Sequence, residues 1–252
     1  MGRYCTLAVG GRRLRRAVLA AALAAVIAGC AGGPADTASL AAADNDPAEP
    51  VNRAVFDANM AVDRAIVKPV AEAYRDNLPA EVREGIQNAA ANLNEPFVAA
   101  NDVLQGNFSR AWTSVRRFAV NTTVGIGGVV DRAKDLDLPP HSTDIGQTLA
   151  TWGVGEGPHV HLPALGPSNV RDAAGTVAGF VLNPLAITGY GRVTTLSYAR
   201  GGADFIDTRV THLNSLDEIE RTSLDFYATL RSVAQQRRQA EIEKAKRGSP
   251  GK

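Results

Sequence analysis

The sequence predicts an all-α fold on three observations. Apolar residues recur at spacings of three and four over most of the chain, strand-like alternation is scarce, and glycine and proline cut the periodic stretches into separate helices. The first stretch puts Val51, Val55, Asn59, Val62 and Ile66 on one face. Pro69 is expected to end or kink it, because proline lacks a donor and crowds the preceding turn. In the second, Phe108, Trp112, Val115 and Ala119 share a stripe while Arg110, Arg116 and Arg117 take other faces, the pattern of an amphipathic helix. Leu216, Ile219, Ser223, Phe226, Leu230 and Val233 carry the same pattern over one long segment. Val160-His161-Leu162, between Pro158 and Pro163, is the best strand signal. Breaks are expected at Pro79, Pro96, Gly106, residues 125–128, Pro139-Pro140, residues 153–158, Gly166-Pro167 and Pro184, and no helical repeat period emerges.

Two apolar stretches are rich in small residues: 122–130 (TTVGIGGVV) and 173–187 (AAGTVAGFVLNPLAI). Small residues let backbones approach closely, as packed helices do in lipid. A glycine-rich core turn and a buried helix of a soluble domain would give the same pattern.

The N-terminus reads as a lipoprotein signal. Arg12, Arg13, Arg15 and Arg16 precede an apolar run at 17–29, and the small Ala28 and Gly29 stand directly before Cys30. The run is shorter than the roughly 20 residues a spanning helix needs, so it is expected to be removed at Cys30, with general secretion favoured over a twin-arginine route. The alternative is an ordinary signal peptide with an incidental cysteine. An acylated Cys30 would hold the protein at a membrane, since each buried CH₂ contributes about 0.8 kcal/mol and more than one chain makes anchoring stable. The organisation that follows is a signal at 1–29, the lipidated Cys30 with a flexible Ala/Asp/Gly/Pro/Thr-rich tether over 30–46, a helical body over 47–234, and a charged tail over 235–252, read as a helix end fraying into disorder.

Five of the 27 basic residues leave with the leader, so 22 face 26 acidic residues in the mature chain, a formal charge of −4. That balance, with both signs interspersed, argues against nucleic acid as a partner. Cys5 leaves with the leader and Cys30 is the anchor, so no disulfide is available to the body.

Five blocks in order, at 46–59 (DPAEPVNRAVFDAN), 68–79 (KPVAEAYRDNLP), 92–107 (NLNEPFVAANDVLQGN), 116–133 (RRFAVNTTVGIGGVVDRA) and 152–175 (WGVGEGPHVHLPALGPSNVRDAAG), resemble the MlaA (VacJ) family of outer-membrane lipoproteins. The resemblance covers roughly 46–190. It implies a ring-like bundle of amphipathic helices lying in one leaflet of the outer membrane, the inner one, with a Gly-rich helical hairpin beside a polar-lined channel. The implied function is removal of mislocalised phospholipids from the outer leaflet, with a periplasmic lipid-carrier protein as recipient and a trimeric porin as neighbour. Gly125, Ile126, Gly127, Gly128, Val129 and Val130 fall where the family has that hairpin, which makes them the lipid-path candidates. The chain departs from the family at His159, where a tyrosine is usual, and at Val51, where an aromatic is common.

The rival readings are a passive porin-associated scaffold and a lipid hydrolase. A hydrolase lacks support: there is no Gly-x-Ser-x-Gly elbow, and His141, His159, His161 and His212 have no persuasive nucleophile beside them. Asp131 and Asp172 could serve as acid/base groups, but Arg171 and Asp172 are better read as capping a helix that starts after Ser168. His159 and His161 share one strand face and would be half of a zinc site, with His141 as a third ligand across a loop. The run at 153–157 (GVGEG) lacks the strand before it and the Lys-Ser/Thr after it that a phosphate loop needs. No catalytic residue, metal or cofactor is therefore assigned.

Overall fold

A computed structural model describes residues 45–182 and 191–248, with residues 191–199 through their backbone alone. The leader, Cys30, the tether to residue 44, Pro184 and the end of the 173–187 stretch lie outside the described residues.

Helix α1 (Glu49–Val62) runs on through a wider π turn (Asp63–Val67) into α2 (Lys68–Asn77). The π turn, in which the Lys68 N–H reaches back to the Asp63 carbonyl, lies just before Pro69. Such a widened turn accommodates the donor that proline lacks and the room its ring takes, so the expected stop at Pro69 is a bulge. The break expected at Pro96 is likewise absent: Pro96 lies inside the 25-residue α3 (Ala80–Leu104). Its neighbours Glu95, Val98 and Ala99 are buried, and tertiary packing there outweighs the ~3 kcal/mol that proline costs a helix interior.

Gly106, at φ +75°, reverses the chain, and Asn107 caps α4 (Phe108–Thr123) by accepting from the Arg110 N–H. Helices α3 and α4 form an antiparallel hairpin, with Asn92 against Thr122 and Glu95 against Arg117. The Gly-rich block is a turn that follows α4 and folds back on this hairpin. The Asn88 side chain donates to the Val129 carbonyl, and a Cβ on Gly128 would lie 2.6 Å from Asn92.

Polarity in these helices is inverted. On α4 the sequence-predicted stripe faces outward, with Phe108 70 % and Trp112 63 % exposed, while Arg110 and Arg117 are each 3 % exposed. Helix α1 and the π turn also turn apolar residues outward, with Val51, Val62 and Ile66 exposed, while Asn52 is buried beside Phe56. The periodicity located the stripes correctly; on α4 the side that is covered is the polar one.

Asp144 caps the short α5 (Ile145–Thr151), accepting from the Gln147 N–H. The strand expected at residues 160–162 is β1 (His159–Leu162), paired antiparallel with β2 (Gly166–Asn169). Helix α6 (Val170–Leu182) follows directly. Its cap is Asn169, whose side chain accepts from the Asp172 N–H at 2.8 Å; Ser168, expected in that role, lies in β2. Helices α5 and α6 touch through glycines, for a Cβ on Gly175 would lie 2.5 Å from the Gly146 nitrogen.

The long C-terminal segment divides into α7 (Gly191–Thr211), α8 (Leu213–Thr222) and α9 (Phe226–Lys246). Ser223 is extended, and Asp225 caps α9 by accepting from the Ala228 N–H. Residues 235–246, read as a fraying tail, are therefore helix, with Ile242 and Ala245 buried. Among the described residues, no helix is long and apolar enough to cross a membrane.

Candidate functional site

A cavity of about 530 Å³ opens between the β-hairpin, α6, α7 and α9. One part of its wall is apolar: Phe97 from α3, Leu162 and Leu165 from the hairpin, and Gly175, Gly179 and Phe180 from α6. The other is ionic, formed by Arg231, Gln235 and Arg238 of α9 with Asp144, Glu156 and Asp172 opposite. A room with apolar and charged walls suits an amphiphile better than a wholly polar or wholly apolar ligand.

Arg238 sets the ionic wall. Its guanidinium forks onto both oxygens of Asp144, each at 2.8 Å, and onto both oxygens of Asp172 at 2.9 and 3.1 Å. It thereby ties the start of α5 and the start of α6 to α9. Burial works against its charge, but the two carboxylates outweigh burial and raise its pKa. Asp172 responds in the opposite direction: burial would lift it, and Arg238 and Arg171 hold it below the usual carboxylate range.

The N-terminal segment locks onto the same elements. Asp46 accepts hydrogen bonds from Tyr227, from Arg231 at 2.9 Å and from Asn52 at 2.6 Å. These outweigh the effect of burial and lower its pKa. Burial, then the Asp46 carboxylate, raises that of Tyr227. Arg53 binds Asp225 through two hydrogen bonds, at 2.6 and 3.1 Å. Asn52 and Asn59, two helical turns apart, act as strand mimics for β1: Asn52 accepts from the His161 N–H and donates to the His159 carbonyl, and Asn59 bridges the Leu162 carbonyl and the Ala164 N–H. The outer edge of the hairpin is thus satisfied without a third strand.

His159 and His161 both face Tyr227, with ring centroids 6.1 and 6.0 Å away. His141 lies elsewhere, against Asp102 at 2.6 Å, so the three histidines do not converge. Among the described residues no group of three acidic, histidine or cysteine ligands could hold a metal. Burial, helped by His159 and opposed by Asp46, pushes the His161 pKa down to about 4; burial and Arg231 lower that of His159 against the same carboxylate. A lowered histidine pKa means the unfolded chain takes up protons first. The stability present above pH 6.5 is therefore lost as pH falls from 6.5 towards 4. His161→Phe, which keeps the ring stacked edge-on against Phe56, is expected to flatten this dependence, read as melting temperatures between pH 7 and 4.5. An unchanged slope would remove His161 from the account.

A second buried seam runs between α3 and α4. Arg117 reaches Glu95 at 2.7 Å and Asp131 at 3.1 Å, and Asn121 holds Asp131 at 3.0 Å. Ser114, His141 and Asp102 meet here, yet Ser114 and Asp102 approach the same imidazole nitrogen, Nε2. In a nucleophilic triad the acid and the serine take opposite ring nitrogens. Ser114 and Asp102 also have no exposed surface, so this trio is interior packing. Asp131 belongs to the same seam, and Asp172 to the Arg238 tie; neither stands as a free acid or base.

The sequence-predicted lipid-path residues do not line the cavity. Gly125 and Gly128 are buried and fill places where a Cβ would collide, Gly125 with the Val130 carbonyl oxygen at 2.2 Å. Ile126 is held at φ +56°, an uncommon and costly conformation for a β-branched residue, and is 74 % exposed. Cys30 lies outside the described residues. Sequence reasoning missed Asp46, Arg238 and Glu156. Only Asp46 carried a signal, in the Asp-Pro before a helix start; the others depend on α9 meeting chain more than 60 residues away.

The family model described as MlaA lipoprotein matches residues 44–241. The chain is 36 % identical over 221 residues to the intermembrane phospholipid transport system lipoprotein MlaA of Escherichia coli (strain K12), covering 84 % of this chain and 82 % of that one. It is 33 % identical over 201 residues to an uncharacterized protein of Rickettsia bellii, covering 79 % and 77 %. A chain solved in work on the structural basis for maintenance of bacterial outer membrane lipid asymmetry superposes with a TM-score of 0.69 at 34 % identity, covering 78 % of this chain and 98 % of that one.

Proposed function

The chain belongs to the MlaA lipoprotein family, and from that premise we propose that it is an outer-membrane lipoprotein that withdraws mislocalised phospholipids from the outer leaflet. In this reading Cys30 carries the acyl anchor on the periplasmic side and the body sits in the inner leaflet as a ring of helices. The lipid leaves through a polar-lined channel to a periplasmic lipid carrier, with a trimeric porin alongside. Gly125, Ile126, Gly127, Gly128, Val129 and Val130 border the path, Ile126 offering its side chain to acyl tails. The protein does no covalent chemistry; a passive conduit cannot set an equilibrium, so direction comes from its partners.

The observation that carries the proposal is the inverted polarity of α4 and the helices beside it, with Val51, Val62, Leu104, Phe108 and Trp112 outward and Asn52, Glu95, Arg110 and Arg117 inward. An apolar exterior is favourable against hydrocarbon and costly against water, and a polar interior gives a headgroup somewhere to travel. The anchor permits this placement: some 15 residues between Cys30 and Asn45 reach at most about 50 Å when extended, so the body stays near the bilayer.

The test is the phospholipid content of the outer leaflet in the parent strain, a deletion strain, and a deletion strain carrying Cys30→Ala. Accumulation is expected in both mutants. No change in either sinks the transport reading and favours a scaffold.

A further inference from the structure

The charges of the cavity balance unevenly. Asp144, Asp172 and Glu241 each face Arg238, and Asp172 also has Arg171. Arg231 is bound to Asp46 and Arg237 to Glu241. Two charges are left. Glu156 has no cation among the described residues; its carboxylate meets only the Gln235 amide, at 3.5 Å. Arg200, from α7, has its nearest carboxylate, Asp204, at 4.0 Å, and its buried Nε has no hydrogen-bond partner. Both side chains line the cavity.

One uncommitted carboxylate and one under-committed guanidinium beside an apolar wall match a zwitterion with tails. We infer that the cavity selects phospholipids whose headgroup carries a primary ammonium, with Glu156 and the Gln235 side chain receiving the ammonium and Arg200 the phosphodiester. The inference rests on the lipid-transport reading and adds a headgroup preference to it. A guanidinium accepts any phosphodiester, so Arg200 alone does not discriminate. Glu156 does: an ammonium brings three donors and a positive charge to it, a glycerol headgroup brings no charge, and a choline brings no donor. An anionic lipid would leave the carboxylate facing a net negative ligand.

The experiment equilibrates the full-length lipidated protein, in gentle detergent, with vesicles of equal phosphatidylethanolamine and phosphatidylglycerol, and measures the copurifying lipids by mass spectrometry. The wild type is expected to enrich phosphatidylethanolamine about threefold to tenfold over the bulk ratio, the scale of one partly solvated charge-assisted contact. Glu156→Gln should bring the ratio to that of the vesicles, and Glu156→Lys should reverse the preference, a change of direction that misfolding cannot produce. A wild type at the bulk ratio, or Glu156→Gln retaining the wild-type enrichment, overturns the headgroup assignment and leaves transport standing. Absence of lipid from every sample, the wild type included, overturns the transport reading and the assignment with it.

Discussion

Arg117→Ala is expected to cost about 3–5 kcal/mol, the penalty for removing one partner of a buried ion pair, and so to consume much of the ~5–15 kcal/mol that a domain has. Arg117 is 3 % exposed and compensates two carboxylates, Glu95 and Asp131, that have little access to water. Burial already raises the Glu95 pKa above its ordinary value although Arg117 and Ser114 pull it down; Asp131 is the reverse, with Asn121 and Arg117 outweighing burial and lowering it. A raised carboxyl pKa contributes stability that is full below about 4.5 and is lost as pH rises through the folded value. With Arg117 gone the Glu95 value rises further, so the damage shrinks in acid. Urea unfolding at pH 7 and pH 5 reads both effects, and Glu95→Gln in the Arg117→Ala background should recover part of the loss. A loss below about 1 kcal/mol at pH 7 would mean that water reaches this seam.

The second large effect is at a glycine. A Cβ on Gly175 would sit 2.5 Å from the nitrogen and 2.8 Å from the Cα of Gly146, both backbone atoms. Gly146 cannot retreat freely, because the space above it is held by Asp172 Oδ1 and Arg238 Nη2. Gly175→Val must therefore part α5 from α6 and loosen the Arg238 forks, at a cost of about 3 kcal/mol, the upper part of the range for overpacking. Gly179, one turn on, is the control: among the described residues its Cβ would meet only Phe97, at 3.7 Å. Gly179→Ala should be neutral or stabilise by up to about 1 kcal/mol, since glycine is a poor residue for a helix interior. Thermal melts of the two variants decide the point, and equal melting temperatures would mean the glycine contact is not a fixed crossing.

Helices were legible in this sequence because period is a local property. Val51, Val62 and Ile66 mark a face whatever that face meets, and the stripe Phe108, Trp112, Val115 was found for the same reason. What covers a stripe is not local, so the buried condition of Arg110 and Arg117 could not be read from spacing. The Pro96 break failed because the proline rule describes an isolated helix, and α4 holds α3 together across it. Ser168 was a reasonable cap by residue type; the Val160–Leu162 strand needed a partner, and pairing drew Ser168 into β2 and passed the cap to Asn169. The Gly-rich block was visible as a special place, but its glycines answer to steric needs at Asn92 and Val130, whereas the cavity draws on seven elements scattered from Asn45 to Glu241. The family resemblance reached the family and the helical fold without any of this geometry.

The tie between the two ends of the body has a consequence for the order of assembly. Asp46 meets Arg231 across 185 residues, and Arg53 meets Asp225 across 172. The first helix cannot seat its buried polar face until α9 has been delivered, so a chain emerging N-terminus first must wait for its last helix. Contacts of such high sequence separation carry a large loop-closure cost and slow folding. On the proposed reading of residues 1–29 as an export signal, that delay is useful: a body drawn through a membrane unfolded would close only after nearly all of it had crossed.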